Sequence, residues 1–226
     1  MKRRILALLR LLWVPVFLFL TVVLLWSELE LSVYLQKDRL IWSFSAAFLL
    51  GSFIFTLGPR FIPLYVFGHE LTHWFVAKLF FKETGKFKCS GSSGYVEIKN
   101  PNLWIILAPY FLPFYFLLLT GFWGVIDFFV AEIPSQLQIL TAALLGLSYS
   151  YHLVLTFIAL SKGQLDLKRK GKIFSLSLIL LMNTVFFYLA TLTFTKQWKR
   201  GWNSFTEKTQ ILSEKTFLKY LPDFRD

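Results

Sequence analysis

Apolar positions along the chain come in runs of about 20 residues, each long enough to cross a hydrocarbon core about 30 Å thick, with short polar or breaker segments between them. Six such runs are read as spans. Ile5–Trp26 is the first, interrupted by Arg10, whose long stem can carry its charge to the interface. No small-x-small cleavage site precedes Ser27, so the run reads as a retained signal-anchor helix and not a leader. A polar connector with Glu28, Glu30, Lys37, Asp38 and Arg39 leads to a second span, Ile41–Leu57, closed by Gly58-Pro59-Arg60. The third is Phe61–Phe81.

Residues 82–103 change period. KFKCS and YVEIK alternate every second residue around Gly91-Ser92-Ser93-Gly94, which predicts a β-hairpin over 84–99 at the membrane surface. The fourth span, Trp104–Val130, holds Pro109 and Pro113. These should bend it and free backbone carbonyls that need partners inside the bundle. Leu137–Leu160 and Ile173–Phe194 complete the set, joined by a basic loop. The tail 195–226 mixes Lys and Arg with Trp198, Trp202, Phe205 and Phe217, a pattern for lying in the interface. The expected fold is thus an all-α membrane bundle of about six helices with a small hairpin insertion. Its parts are two N-terminal helices (1–60), a core (61–194) and a basic interfacial tail (195–226).

Composition reinforces this. The 226 residues are 56% hydrophobic and only 16% charged, with 26 Phe and a mean hydropathy of +0.58, which excludes an ordinary water-soluble domain. The net charge of +11 lies mainly between and beyond the apolar runs, where Lys and Arg meet anionic headgroups; the partner is the lipid bilayer and not nucleic acid. Lys and Arg divide almost evenly between the two sides, so the positive-inside rule sets no orientation, and nothing in the residues sets an oligomeric state. A single cysteine, Cys89, supports neither an intrachain disulfide nor a thiolate zinc knuckle.

The chemistry lies in the third span. Gly68-His69-Glu70-Leu71-Thr72-His73 contains H-E-x-x-H, whose two imidazoles share one helix face a turn apart and can bind one Zn²⁺, with Glu70 beside them as proton acceptor from an activated water. Ionisable residues in a membrane helix cost about 2.5 to 3.5 kcal/mol each on insertion scales, so three together ask for a purpose.

A catalytic zinc takes three protein ligands. His152 is the remaining histidine: His73 precedes Lys82 by nine residues and His152 precedes Lys162 by ten, which puts them at similar depth in parallel spans. Asp166 in the basic loop is the alternative third ligand, and Asp127 near the end of the fourth span a weaker one. Asn183 and Tyr110 are possible helpers at an oxyanion.

These residues resemble the site-2 protease family of intramembrane zinc metalloproteases, in particular its compact M50B-like branch. The likeness covers roughly residues 61–190: H-E-x-x-H in an apolar helix, a Gly-rich β segment (Gly91–Ile98) directly after it, and then Leu107-Ala108-Pro109-Tyr110-Phe111-Leu112-Pro113. It implies zinc on His69 and His73, Glu70 as general base, and the β segment as an edge for an unwound substrate strand. The family's Asn-Pro-x-Pro and Leu-Asp-Gly motifs do not stand here, and Asp166 followed by Gly171 is a loose echo of the second. The expected activity is cleavage of a membrane-embedded peptide or transmembrane helix; the alternative is an inactive relative that binds transmembrane partners as a scaffold.

Overall fold

The computed structural model describes residues 2–35, 37–162 and 171–216, with side chains from residue 8. The order is α1 (Lys2–Tyr34), α2 (Arg39–Leu57), α3 (Ile62–Leu79), β1 (Thr84–Ser90), β2 (Ser93–Ile98), α4 (Leu103–Phe111), α5 (Phe114–Phe129), α6 (Ser135–Ser161), α7 (Lys172–Thr195) and α8 (Trp198–Thr216). The helical character and the hairpin agree with the sequence pattern. Described residues between 37 and 172 form one compact unit; those before 37 and after 172 form another.

Where six spans are expected, four helices are individually long and apolar enough to cross a membrane: residues 8–34 of α1, and α2, α6 and α7. A fifth arises if α4 and α5 count together, although they are bent by 77°. The bend falls at Pro113. Its ring disfavours helical backbone at the preceding residue, and Leu112 is extended (φ −89°, ψ 106°), ending α4. Pro109, by contrast, stays within α4. The α3 helix is not among the four because His69, Glu70, Thr72, His73 and Lys78 dilute its apolar residues.

In the unit that carries H-E-x-x-H, α2 starts at Asp38, whose carboxylate accepts from the Leu40 amide at 2.8 Å, as an N-cap does. It ends at Gly58, and Arg60 then folds back to donate to the carbonyls of Phe55 (3.3 Å) and Thr56 (3.0 Å), groups left over at a helix C-terminus. The α2 and α6 helices touch backbone to backbone. A Cβ on Gly146 would run into the carbonyl oxygen of Phe44, and one on Gly51 into the Ser150 hydroxyl, the close approach that small residues allow between packed helices. Ser43 ties the pair by donating to the Ile139 carbonyl at 2.8 Å.

The hairpin turns on two residues, Gly91-Ser92, within the four-residue segment read from the sequence. Gly91 supplies a positive φ of 52°, which a tight turn between twisted strands needs. The strands pair antiparallel with a bulge between Thr84 and Phe87 and lie along α3. The α4 helix is interior: Ile105, Leu107, Ala108 and Tyr110 are completely buried.

In the other unit, α1 continues well past the end expected at Trp26. Glu28 and Glu30, expected in a polar connector, are helical because both have partners: Thr191 donates to Glu28 at 2.8 Å, while Ser204 and Lys208 donate to Glu30 at 2.8 Å each. Tyr188 donates to the Gly201 carbonyl at 2.7 Å, holding α8 against α7. The Arg200 guanidinium lies 3.6 Å over the Tyr34 ring, a cation–π contact.

Candidate functional site

The helical period sets Tyr65, His69 and His73 on successive turns of α3. Their rings form a ladder, with centroids 5.6 Å apart for Tyr65 and His69 and 5.0 Å for His69 and His73, the latter edge to face. Two imidazoles meeting on one ion about 2 Å from each nitrogen stand at about this separation. Tyr110 of α4 closes the third side of His69, its ring centroid 5.2 Å away.

His73 Nδ1 lies 2.7 Å from the carbonyl oxygen of Ile105. A carbonyl only accepts, so Nδ1 carries the proton and the lone pair is on Nε2. The reason that carbonyl is available is local: Ile105 would receive a helical hydrogen bond from residue 109, which is proline and has no N–H. Thus the freed carbonyl expected from the prolines has its partner inside the unit, and that partner is one of the H-E-x-x-H histidines.

Glu70 faces the hairpin. Gly94 sits so close that a Cβ there would come within 2.7 Å of Glu70 Cγ, 2.9 Å of Val66 Cγ1 and 3.2 Å of the Lys88 carbonyl. The Phe67 and Phe87 rings, 6.2 Å apart, hold the same contact. The Gly-rich strand and Glu70 are therefore neighbours.

His152 on α6 joins His69 from a different side. Both line a cavity of about 20 Å³, together with Tyr65, Tyr115 and Tyr151. That is room for a single water-sized particle. His73 and Glu70 are not part of this lining. The structure therefore brings His69 together with His73 and, separately, with His152. Among the described residues no three His, Cys, Asp or Glu side chains are grouped as a metal site. Asp166, the alternative ligand, lies outside the described residues. Asp127 is exposed near the end of α5. Asn183 belongs to the other unit, where its amide donates to the Ile179 carbonyl of its own helix at 2.9 Å.

Two of the cavity tyrosines are committed to backbone. Tyr115 donates to the Leu64 carbonyl at 2.6 Å and Tyr151 to the Phe61 carbonyl at 2.9 Å, fastening α5 and α6 to the first turn of α3. The Tyr65 hydroxyl and His69 Nδ1 are both buried and have no hydrogen-bond partner among the described residues. Sequence reasoning passed over Tyr65, although the i, i+4 spacing that pairs His69 with His73 also points to it.

Two imidazoles 5.0 Å apart on one helix face, one with its lone pair set on Nε2, suit a divalent metal as the third party. His69 and His73 are the donors that fit zinc on this ground, with His152 the nearest further imidazole. No family model, curated protein or solved structure matches this chain.

Proposed function

We propose that the chain is a multi-pass membrane protein that cleaves a membrane-embedded peptide or transmembrane helix, with His69 and His73 as zinc donors and Glu70 as general base. The observation that carries the reading is the His69–His73 pair: rings 5.0 Å apart on one helix face, with the second imidazole's lone pair set on Nε2 by the Ile105 carbonyl. Apolar residues facing outward support the membrane part, among them Leu12 (70% exposed), Leu57 (71%) and Phe128 (82%). A surface facing water would carry far fewer.

Zinc bound there would supply Lewis acidity towards a scissile carbonyl and lower the pKa of a water. The protein's own share is positional. Glu70 takes the proton from the attacking water and passes it to the leaving amide nitrogen. The hairpin, packed on α3 beside Glu70, offers strand edges along which an unwound substrate can lie extended. Tyr110 packs against His69 and holds the imidazole's face. His152 or Asp166 completes the donor set.

The test is cleavage of a transmembrane peptide by full-length protein in proteoliposomes. Wild type cleaves, a chelator stops it, zinc restores it, and Glu70→Gln keeps the metal but loses activity by about 10³-fold or more. Equal cleavage by Glu70→Gln overturns the assignment. Metal content of His152→Ala beside Asp166→Ala names the third donor.

Among the described residues no three His, Cys, Asp or Glu side chains are grouped to hold a metal, which leaves a second reading: a metal-free relative that binds transmembrane partners as a scaffold. Its mark is a cellular effect that survives Glu70→Gln.

A further inference from the structure

From the two polar atoms left over at the site we infer that Tyr65 is the positioning residue for His69: one water held in the adjoining cavity accepts a hydrogen bond from His69 Nδ1–H and donates to the Tyr65 hydroxyl oxygen, which keeps the proton on Nδ1 and the lone pair on Nε2. The inference rests on the proposed zinc reading for the direction of the hydrogen bond, and on the hydrogen-bond inventory for the link itself.

The inventory is short. A buried polar atom without a partner costs about 1–3 kcal/mol, and native structures tolerate few. Here two such atoms, Tyr65 Oη and His69 Nδ1, occur one helical turn apart on the same face of α3, and their residues line the same small cavity. Its volume of about 20 Å³ is room for one water, and a water needs polar partners to stay. Tyr115 and Tyr151, the other two tyrosines of the lining, already have partners in the Leu64 and Phe61 carbonyls, whereas the Tyr65 hydroxyl has none among the described residues.

The chemistry gives the link a direction. A metal-ligating imidazole almost always donates its second ring N–H to an oxygen, which fixes both tautomer and ring orientation. His73 does so to the Ile105 carbonyl. With Tyr65 as the corresponding oxygen for His69, both histidines present Nε2, one braced by a carbonyl that Pro109 freed and the other by a tyrosine. Tyr65 touches neither substrate nor metal in this role; it acts through His69.

Nitrogen NMR of ¹⁵N-imidazole-labelled full-length protein in nanodiscs, stripped of metal, reads the tautomer directly. Only three histidines contribute, and His152→Ala and His73→Ala assign them. Wild type is expected to show His69 protonated on Nδ1. Tyr65→Phe should turn this into a tautomer mixture, and Tyr115→Phe should leave it unchanged. Chelator competition on the same samples should show zinc affinity lower by roughly 10- to 100-fold in Tyr65→Phe alone. His69 unprotonated on Nδ1 in wild type, or an identical His69 signal in wild type and Tyr65→Phe, overturns the inference; the first result needs no variant to fold. If the tautomer behaves as expected and wild type still takes up no zinc, the inference stands and the metalloprotease reading alone fails.

Discussion

His73 Nδ1 and the Ile105 carbonyl, 2.7 Å apart, form a hydrogen bond that depends on a proline four residues further on. Proline inside a helix usually weakens it by removing a donor. Here the missing donor leaves an acceptor that holds an imidazole of H-E-x-x-H in one tautomer. Local helix stability and ordering of the site thus pull in opposite directions at Pro109.

Pro109→Ala should therefore separate the two. Restoring the N–H returns a helical donor to Ile105 and favours α4, since proline is about 3 kcal/mol worse than alanine inside a helix. The carbonyl then shares its lone pairs, and His73 is held less firmly. Thermal unfolding in detergent is expected to occur no lower than in wild type, while chelator competition shows zinc held up to about tenfold more weakly.

Gly94→Ala should damage chemistry more than fold or metal. The new Cβ would press on Glu70 Cγ from 2.7 Å and on Val66 Cγ1 from 2.9 Å, with the backbone carbonyl of Lys88 at 3.2 Å. Overpacking of this kind costs about 1–3 kcal/mol, and a misplacement of about 1 Å can cost about 100-fold in rate. Peptide cleavage should fall by at least tenfold with metal content unchanged.

The contact of α2 with α6 should be intolerant at Gly146 and the α5 surface tolerant at Gly121. Gly146→Val drives a side chain into the backbone of Phe44 and pushes away the helix that carries Tyr151 and His152. A Cβ at Gly121 meets nothing within 4 Å. Alanine there gains about 0.5–1 kcal/mol of helix propensity. Denaturation in mild detergent should show the first destabilised by about 1–3 kcal/mol and the second unchanged or slightly stabilised.

Lys208 fastens α8 to α1, with its ammonium 2.8 Å from Glu30 and 2.9 Å from Glu207. The hydrogen bond to Glu30, and then that to Glu207, raises its pKa above the usual lysine value. A lysine whose pKa rises on folding stabilises fully below its unfolded value of about 10.4, and the contribution is lost as pH climbs through the folded value. Lys208→Met should loosen α8 by about 1 kcal/mol at neutral pH, seen as faster amide exchange along that helix. Wild type should lose the same protection only in strongly alkaline buffer.

Much of the site was legible because it is local. The i, i+4 spacing of His69 and His73, the period-two strands around Gly91, and a bend at the prolines all follow from short-range geometry. What the sequence hid is long-range. Glu28 and Glu30 read as a polar connector until Thr191, Ser204 and Lys208, far along the chain, come beside them. Likewise the partner of the Ile105 carbonyl lies 32 residues away, on a different helix. His152 was placed by counting its depth, a measure that fixes height along a helix but not direction around it. It reaches His69 and lines a cavity that His73 does not.

Whether metal is held at all is decided by elemental analysis of the full-length protein purified in mild detergent without chelators, alongside His69→Ala, His73→Ala and Glu70→Gln. About one zinc per chain is expected in wild type and in Glu70→Gln, with loss of the metal from both histidine variants. A folded wild-type protein with no metal, or zinc retained in either histidine variant, would contradict the proposal.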